Sequence, residues 1–213
     1  MGTIKKGILG GFSGTVGTVV GGTWKGIDYM RSKAASVANP NSPAQLDHRL
    51  KFSTVIAFLK PLTALLRIGF KNQAVKMTAF NAAMSFNMKN AITGAYPAYE
   101  IDYANALISE GTLPEALNPS AVSAVAGKIA FTWGDNSSDG SAMADDKVIL
   151  VVYNPVKKKA VNMVGGNTRT SGTQTITLPA SFSGDEVQCF IGFQNANQSV
   201  LSNSQFVIGL IVL

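Results

Sequence analysis

Cysteine and histidine occur once each in the sequence, as Cys189 and His48. A lone thiol excludes an intrachain disulfide, and Cys189, inside a strand-like run, reads as a small buried apolar residue. Without a second histidine there is no two-histidine zinc site. A Ser-His-Asp triad would have to use His48, yet no Gly-x-Ser-x-Gly marks a nucleophile. His48 stands between Asp47 and Arg49 and reads as a surface or capping residue. The Gly-Lys-Ser/Thr of a Walker A loop is missing, as is a Gly-x-Gly-x-x-Gly following a strand. Asp135, Asp139, Asp145 and Asp146 lack the spacing and the closing glutamate of an EF-hand, so they read as a solvated turn. No catalytic residue, cofactor or metal ligand is assigned, and an enzyme is not expected.

Charge is also scarce. Charged residues are 14% of the chain, against roughly 25% in average soluble domains. A weakly charged, glycine-rich surface favours an assembling protein over a dilute monomer. No run suits a bilayer helix: Gly7 to Trp24 is uncharged but too rich in Gly and Thr, and Phe206–Leu213 is strand length. Lys5-Lys6 before Ile8-Leu9 imitates a signal peptide, but glycines interrupt the apolar part and Ser36-Val37-Ala38 lies too far on. The expectation is cytoplasmic synthesis, with incorporation into a particle or export by another route.

What charge there is divides unevenly. Residues 1–90 hold twelve Lys/Arg against Asp28 and Asp47, a net of +10, and residues 91–213 hold six against ten acids, a net of −4. The basic half would meet nucleic acid, another acidic surface, or the acidic half of a second copy.

Texture separates three regions. Residues 1–38 are glycine-punctuated, with Val16, Val19, Val20, Ile27 and Tyr29 between the glycines; they predict short strands or an arm. Residues 39–118 predict helices. Asn41-Ser42-Pro43 is a start signal, Phe52, Val55, Ile56 and Leu59 make an apolar stripe, and Pro61 ends or kinks that helix before it resumes to about Gly69. Further helices are expected over Thr78–Ile92, where Met77, Met84 and Met88 mark one face, and over Tyr103–Ser109. Residues 119–213 predict a β-sandwich. Its strands are Ala126–Trp133, the apolar run Val148–Asn154 (buried between two sheets), Thr173–Leu178, Val187–Asn195 and Gln205–Leu213. Lys157-Lys158-Lys159 is read as a turn or a protected edge. The fold class is therefore α+β: a Gly-rich N-terminal β arm, a central helical region and a C-terminal Ig-like antiparallel sandwich.

Several motifs resemble the uncharacterised DUF6266 family of Bacteroidota. They are Gly7-Ile8-Leu9-Gly10-Gly11-Phe12-Ser13-Gly14, Val16–Gly21, Trp24-Lys25-Gly26, Leu65–Lys71, Met77–Asn81, Asn90–Gly94 and Tyr96–Tyr103. Leu178-Pro179, Gly184 and Ser202-Asn203-Ser204 mark the sandwich, which resembles immunoglobulin or fibronectin-type domains. Ser109-Glu110-Gly111 departs from the pattern, which has a basic residue before the glycine. The resemblance implies a bacterial or phage-related context and brings no activity with it.

The expected function is a structural protein that self-assembles into a phage-like particle, fibre or tube. Its arm residues would be Gly10, Gly11, Phe12, Val16, Val19, Val20 and Trp24, and its basic contact face Lys25, Arg31, Arg67 and Lys71. Two alternatives stay open: a nucleic-acid binder using residues 1–90, and an adhesion module that holds a protein or glycan in sandwich loops such as 134–146.

Overall fold

The computed structural model describes residues 2–4, 7, 10–24, 26–36 and 41–213. Two compact units divide the chain, Met1–Ser42 and Pro43–Leu213. The helical region and the sandwich, read from the sequence as separate domains, lie together in the second unit.

The first unit is a meander of four antiparallel strands in the order β1-β2-β3-β4: Thr3–Ile4, Phe12–Val16, Val19–Trp24 and Ile27–Ser32. Val16 pairs with Val19 across a two-residue turn, and Gly17 takes the left-handed backbone that this turn requires (φ +57°). Gly21 shows why the strands themselves hold glycine. A Cβ there would lie 2.1 Å from the Phe12 carbonyl oxygen, so any side chain would force β2 and β3 apart.

The second unit begins with α1, Pro43–Leu59, which Pro61 interrupts with a 3-10 turn at Lys60–Leu62 before α2, Thr63–Gly69. Thr78 caps α3, Ala79–Asn90: its hydroxyl accepts from the Asn81 N–H at 3.2 Å. By length and composition Pro43–Gly69 would suffice to cross a membrane. Here Val55, Phe58, Leu59, Leu62, Leu65 and Leu66 are buried in a core shared with the sandwich. A hairpin that the sequence did not announce follows, β5 Ile92–Ala95 and β6 Ala98–Ile101.

Seven strands complete the unit. Leu117–Val125 (β7), Lys128–Gly134 (β8) and Thr173–Thr177 (β11) form one sheet in the order β11-β8-β7. Lys147–Asn154 (β9), Lys159–Thr168 (β10), Glu186–Gln194 (β12) and Gln205–Ile211 (β13) form the other, in the order β10-β9-β12-β13. Three strands facing four, in this order, is the fibronectin type III arrangement of a Greek-key sandwich.

Strand β9 is buried on both faces, though not between two sheets. Val148, Leu150 and Val152 meet Ile129, Phe131, Trp133 and Ile176 in the sandwich core. Ile149, Val151 and Tyr153 point the other way, into a core built with Phe58, Leu62, Leu66 and Phe70 of the helices. The apolar run thus separates two cores, one sheet on sheet and one sheet on helix, which a period-2 reading of the sequence cannot distinguish.

The helix expected over Tyr103–Ser109 is absent. Asp102 instead caps a turn, accepting from the Ala104 N–H and the Asn105 amide. The segment then runs irregularly with its backbone paired to side chains. Leu107 exchanges hydrogen bonds with buried Asn87, and Ser204 Oγ accepts from the N–H groups of Ile108 and Ser109. Buried irregular backbone survives only when satisfied in this way.

Candidate assembly surfaces and an aromatic cleft

The proposed arm residues fall on the N-terminal sheet. Gly10 closes a turn with its N–H on the Gly7 carbonyl, and a Cβ on Gly11 would lie 2.3 Å from the Asp28 carboxyl group. Phe12 and Val16 bound β2, and Val19, Val20 and Trp24 belong to β3. No hydrophobic side chain described in this unit is buried; the only buried residue described is Gly21. Trp24 is 67%, Ile27 70% and Met30 71% exposed. Trp24, Ile27 and Tyr29 gather around one shallow apolar depression.

Of the basic residues singled out, Lys25 lies outside the described residues. Arg31 sits on β4, Arg67 on α2 and Lys71 in the turn after it; all three are exposed. Among the described residues none of the three forms an ion pair. Arg31 belongs to the first unit and the other two to the second.

The acidic group Asp135, Asp139, Asp145 and Asp146 does not form one solvated turn. Asp135, Asp139 and Asp145 are exposed, but Asp146 is enclosed with Arg169, a residue that no motif in the sequence singles out. Arg169 is fully buried. Its Nε donates to Asp146 Oδ2 at 3.1 Å, and its other nitrogens donate to Asn136 Oδ1 and to the Glu115 and Pro114 carbonyls. The guanidinium lies 3.9 Å from the Phe193 ring centroid, and Trp133 Nε1 donates to the Arg169 carbonyl. Burial lowers the Arg169 pKa while Asp146 raises it. The network ties loop 134–146 to the sandwich. No group of three or more metal-ligating side chains occurs among the described residues.

The edges of the sandwich differ. Beside β10, the turn Lys157-Lys158-Lys159 places three ammonium groups, with Lys158 in the left-handed region (φ +51°). Edge strands β7 and β13 contain no charged residue and expose Val122, Val125, Ile208 and Ile211.

A cleft of about 500 Å³ lies between α1, β6 and the β9–β10 turn. Phe58, Tyr99, Tyr103 and Tyr153 line it, with Glu100 and Lys158 at its margins and Ser53 and Thr54 along the helix. Tyr99 is anchored. Its hydroxyl donates to Asp47, which also pairs with Lys51 at 2.9 Å, and the Lys51 ammonium stands 4.9 Å from its ring centroid. The Tyr99 hydroxyl and Lys51 hold the Asp47 carboxyl below its ordinary pKa, and that same bond raises the pKa of Tyr99. Burial pushes the Tyr103 hydroxyl up to about 12, aided by Tyr153, Glu100 and Glu186. The sequence offered Tyr99 and Tyr103 only as part of a family motif, and Tyr153 only as a strand residue.

Cys189 is buried in the sandwich core, and burial pushes its thiol up to about 12. It is therefore no nucleophile at neutral pH.

These features define an α+β protein whose body is a fibronectin-like sandwich backed by three helices, preceded by a small sheet in which no described hydrophobic side chain is buried. The model of a family of unknown function, DUF6266, matches residues 11–209, and the chain belongs to that family. No curated protein matches it. Among solved structures, it is similar to the solution structure of the fn3 domain of the human collagen alpha-1(XX) chain. The two are 13% identical, and the match covers 49% of this chain and 90% of that one with a TM-score of 0.32.

Proposed function

We propose that this is a non-enzymatic structural protein that self-assembles, its N-terminal sheet docking on further copies of the chain. The observation that carries this reading is the sheet's lack of any described buried hydrophobic side chain. Two-sided sheets of this size are marginal in water unless something packs on them, and contiguous exposed apolar surface marks an interaction site. The charge-free edges β7 and β13 support the reading, because an unguarded apolar edge favours strand addition. The +10 and −4 halves would favour contact between different regions of neighbouring copies. A phage-like particle, fibre or tube is the form of assembly proposed.

Analytical ultracentrifugation with negative-stain microscopy tests this. The full chain is expected to form rings, fibres or shells, and a chain lacking residues 1–42 to remain a folded monomer. A full-length monomer at all concentrations, or unchanged assembly of the truncated chain, would overturn the role of the sheet. Nucleic-acid binding through residues 1–90 is the second reading, resting on the exposed cations Arg31, Arg67 and Lys71, which form no ion pair among the described residues. It requires an affinity for nucleic acid that falls steeply with salt.

A further inference from the structure

Resting on the nucleic-acid reading above, we propose that one face of the N-terminal sheet, carrying Trp24, Tyr29 and Arg31, binds single-stranded nucleic acid. The strand register separates the two faces. Residues directly opposite each other, and alternate residues along a strand, share a face. Val20 stands opposite Arg31, Gly22 opposite Tyr29 and Trp24 opposite Ile27. These residues therefore lie together, in keeping with the depression that Trp24, Ile27 and Tyr29 share. Val19, Thr23, Asp28 and Met30 lie on the other face.

The rings are set out for stacking. Trp24 is 67% and Tyr29 46% exposed. The tip of the Tyr29 ring lies over Gly22, 3.0–3.4 Å from where a Cβ would stand. Glycine lets the ring recline across the neighbouring strand, and a larger residue there would lift it. Trp24 and Tyr29 are diagonal neighbours, about 7–8 Å apart. Arg31 follows Tyr29 two residues on, about 7 Å along β4. Two aromatic rings and a guanidinium thus succeed one another across an open sheet. Aromatic side chains on which bases stack, with cations along the backbone, are how single strands are held without sequence preference.

Charge selects the partner. Residues 1–42 hold five Lys/Arg against a single acid, Asp28. Asp28 lies on the opposite face, its carboxylate accepting from the Thr23 hydroxyl at 2.7 Å. The partner is therefore anionic, and the exposed rings call for planar groups that stack on them. A single strand repeats both features. A duplex keeps its base faces covered and presents only edges. An anionic membrane would take Trp24 and Ile27 but would draw the adjacent Asp28 carboxylate toward its own negative charge. Val19 and Met30 stay open to further copies, and a strand that crosses several copies ties them together.

The test uses the full chain with labelled oligothymidylate and oligouridylate, and with a duplex and phosphatidylserine vesicles as comparison probes. Anisotropy reads affinity, and tryptophan fluorescence reads the site. Of the two tryptophans, Trp133 is buried, so quenching by a ligand reports Trp24. Both single strands are expected to bind and to quench, with affinity falling as salt rises. Trp24→Ala is expected to weaken binding about 10-fold, and Trp24→Phe, which keeps a ring, much less. Arg31→Gln is expected to lower the slope of log affinity against log salt by about 0.7, and Met30→Ala, on the opposite face, to change nothing. Salt-sensitive binding without quenching, and untouched by Trp24→Ala and Tyr29→Ala, would overturn this face while leaving the nucleic-acid reading in place. No binding of either single strand would overturn both. Duplex or vesicles bound as tightly as the single strands would overturn the choice of partner.

Discussion

Strand β3 of the N-terminal unit and strand β9 of the body are both interior strands of four-stranded antiparallel sheets, and they differ in what covers them. From Val148 to Asn154 every residue of β9 is buried, and Val148 to Tyr153 alternate between the sandwich core and the helix-backed core. In β3 only Gly21 is buried, and Val19 and Trp24 lie open. Burying an aliphatic side chain is worth about 1.5–3 kcal/mol. Strand β9 therefore holds its sheet from within the chain, whereas β3 has backbone pairing and little else. The same secondary structure is in one place the centre of a fold and in the other an open surface.

The largest break in this comparison is expected inside the body. Arg169→Leu would leave Asp146 as a buried, uncompensated charge whose Oδ1 already has no partner. Loss of one member of such a pair costs about 3–5 kcal/mol, so denaturant unfolding should show a loss of that order. Arg169→Leu combined with Asp146→Leu should recover much of it. A single variant as stable as the parent would mean that loop 134–146 is held by something else.

Next in size is a matched pair of truncations. Leu150→Ala, in the centre of β9, is expected to cost 2–5 kcal/mol through lost burial and the cavity left behind. Trp24→Ala, a larger truncation, is expected to change the unfolding of the body by less than about 0.5 kcal/mol while abolishing assembly. If Trp24→Ala destabilises the body as Leu150→Ala does, the contrast between the two sheets collapses.

Much of this contrast was legible in the sequence, because glycine spacing and apolar runs are local signals. Glycines at 14, 17, 21 and 26 mark the turns and close approaches of the meander, and Pro61 marks the break between α1 and α2. Strand β7 escaped notice because Asn118-Pro119-Ser120-Ala121 carries almost no strand signal and acquires its conformation from pairing with β8. The turn at Tyr103–Ser109 read as a helix because its Ala, Leu and Ile residues recur at helical spacing. Its backbone is in fact claimed by Asn87 and by Ser204, which lie about 20 residues before and 96 after. The Arg169–Asp146 pair and the tyrosine cleft were invisible for the same reason: each joins residues distant in sequence that only the sheet order brings together.

A smaller effect separates the units by pH. The body holds a surface ion pair in which Asp185 accepts from Lys157 and, at 2.6 Å, from Asn154. Lys157 and Asn154 hold the Asp185 carboxyl below its ordinary value of 3.8. A carboxyl with a depressed pKa in the folded state contributes stability above its unfolded value and loses that contribution as pH falls through the folded one. The thermal midpoint of the body should therefore fall below about pH 4 partly through this group. Asp185→Asn should lower the midpoint slightly at pH 7, and that deficit should shrink as pH falls through the lowered folded-state pKa of Asp185. The pair is partly solvated, so its contribution at neutral pH should also shrink with added salt. The N-terminal unit has a single acid, Asp28, bonded to the Thr23 hydroxyl, and lacks a counterpart to the Asp185 cluster among its described residues. If the deficit of Asp185→Asn is the same at every pH, the link between this pair and acid sensitivity is wrong, and what the side chain supplies is hydrogen bonding alone.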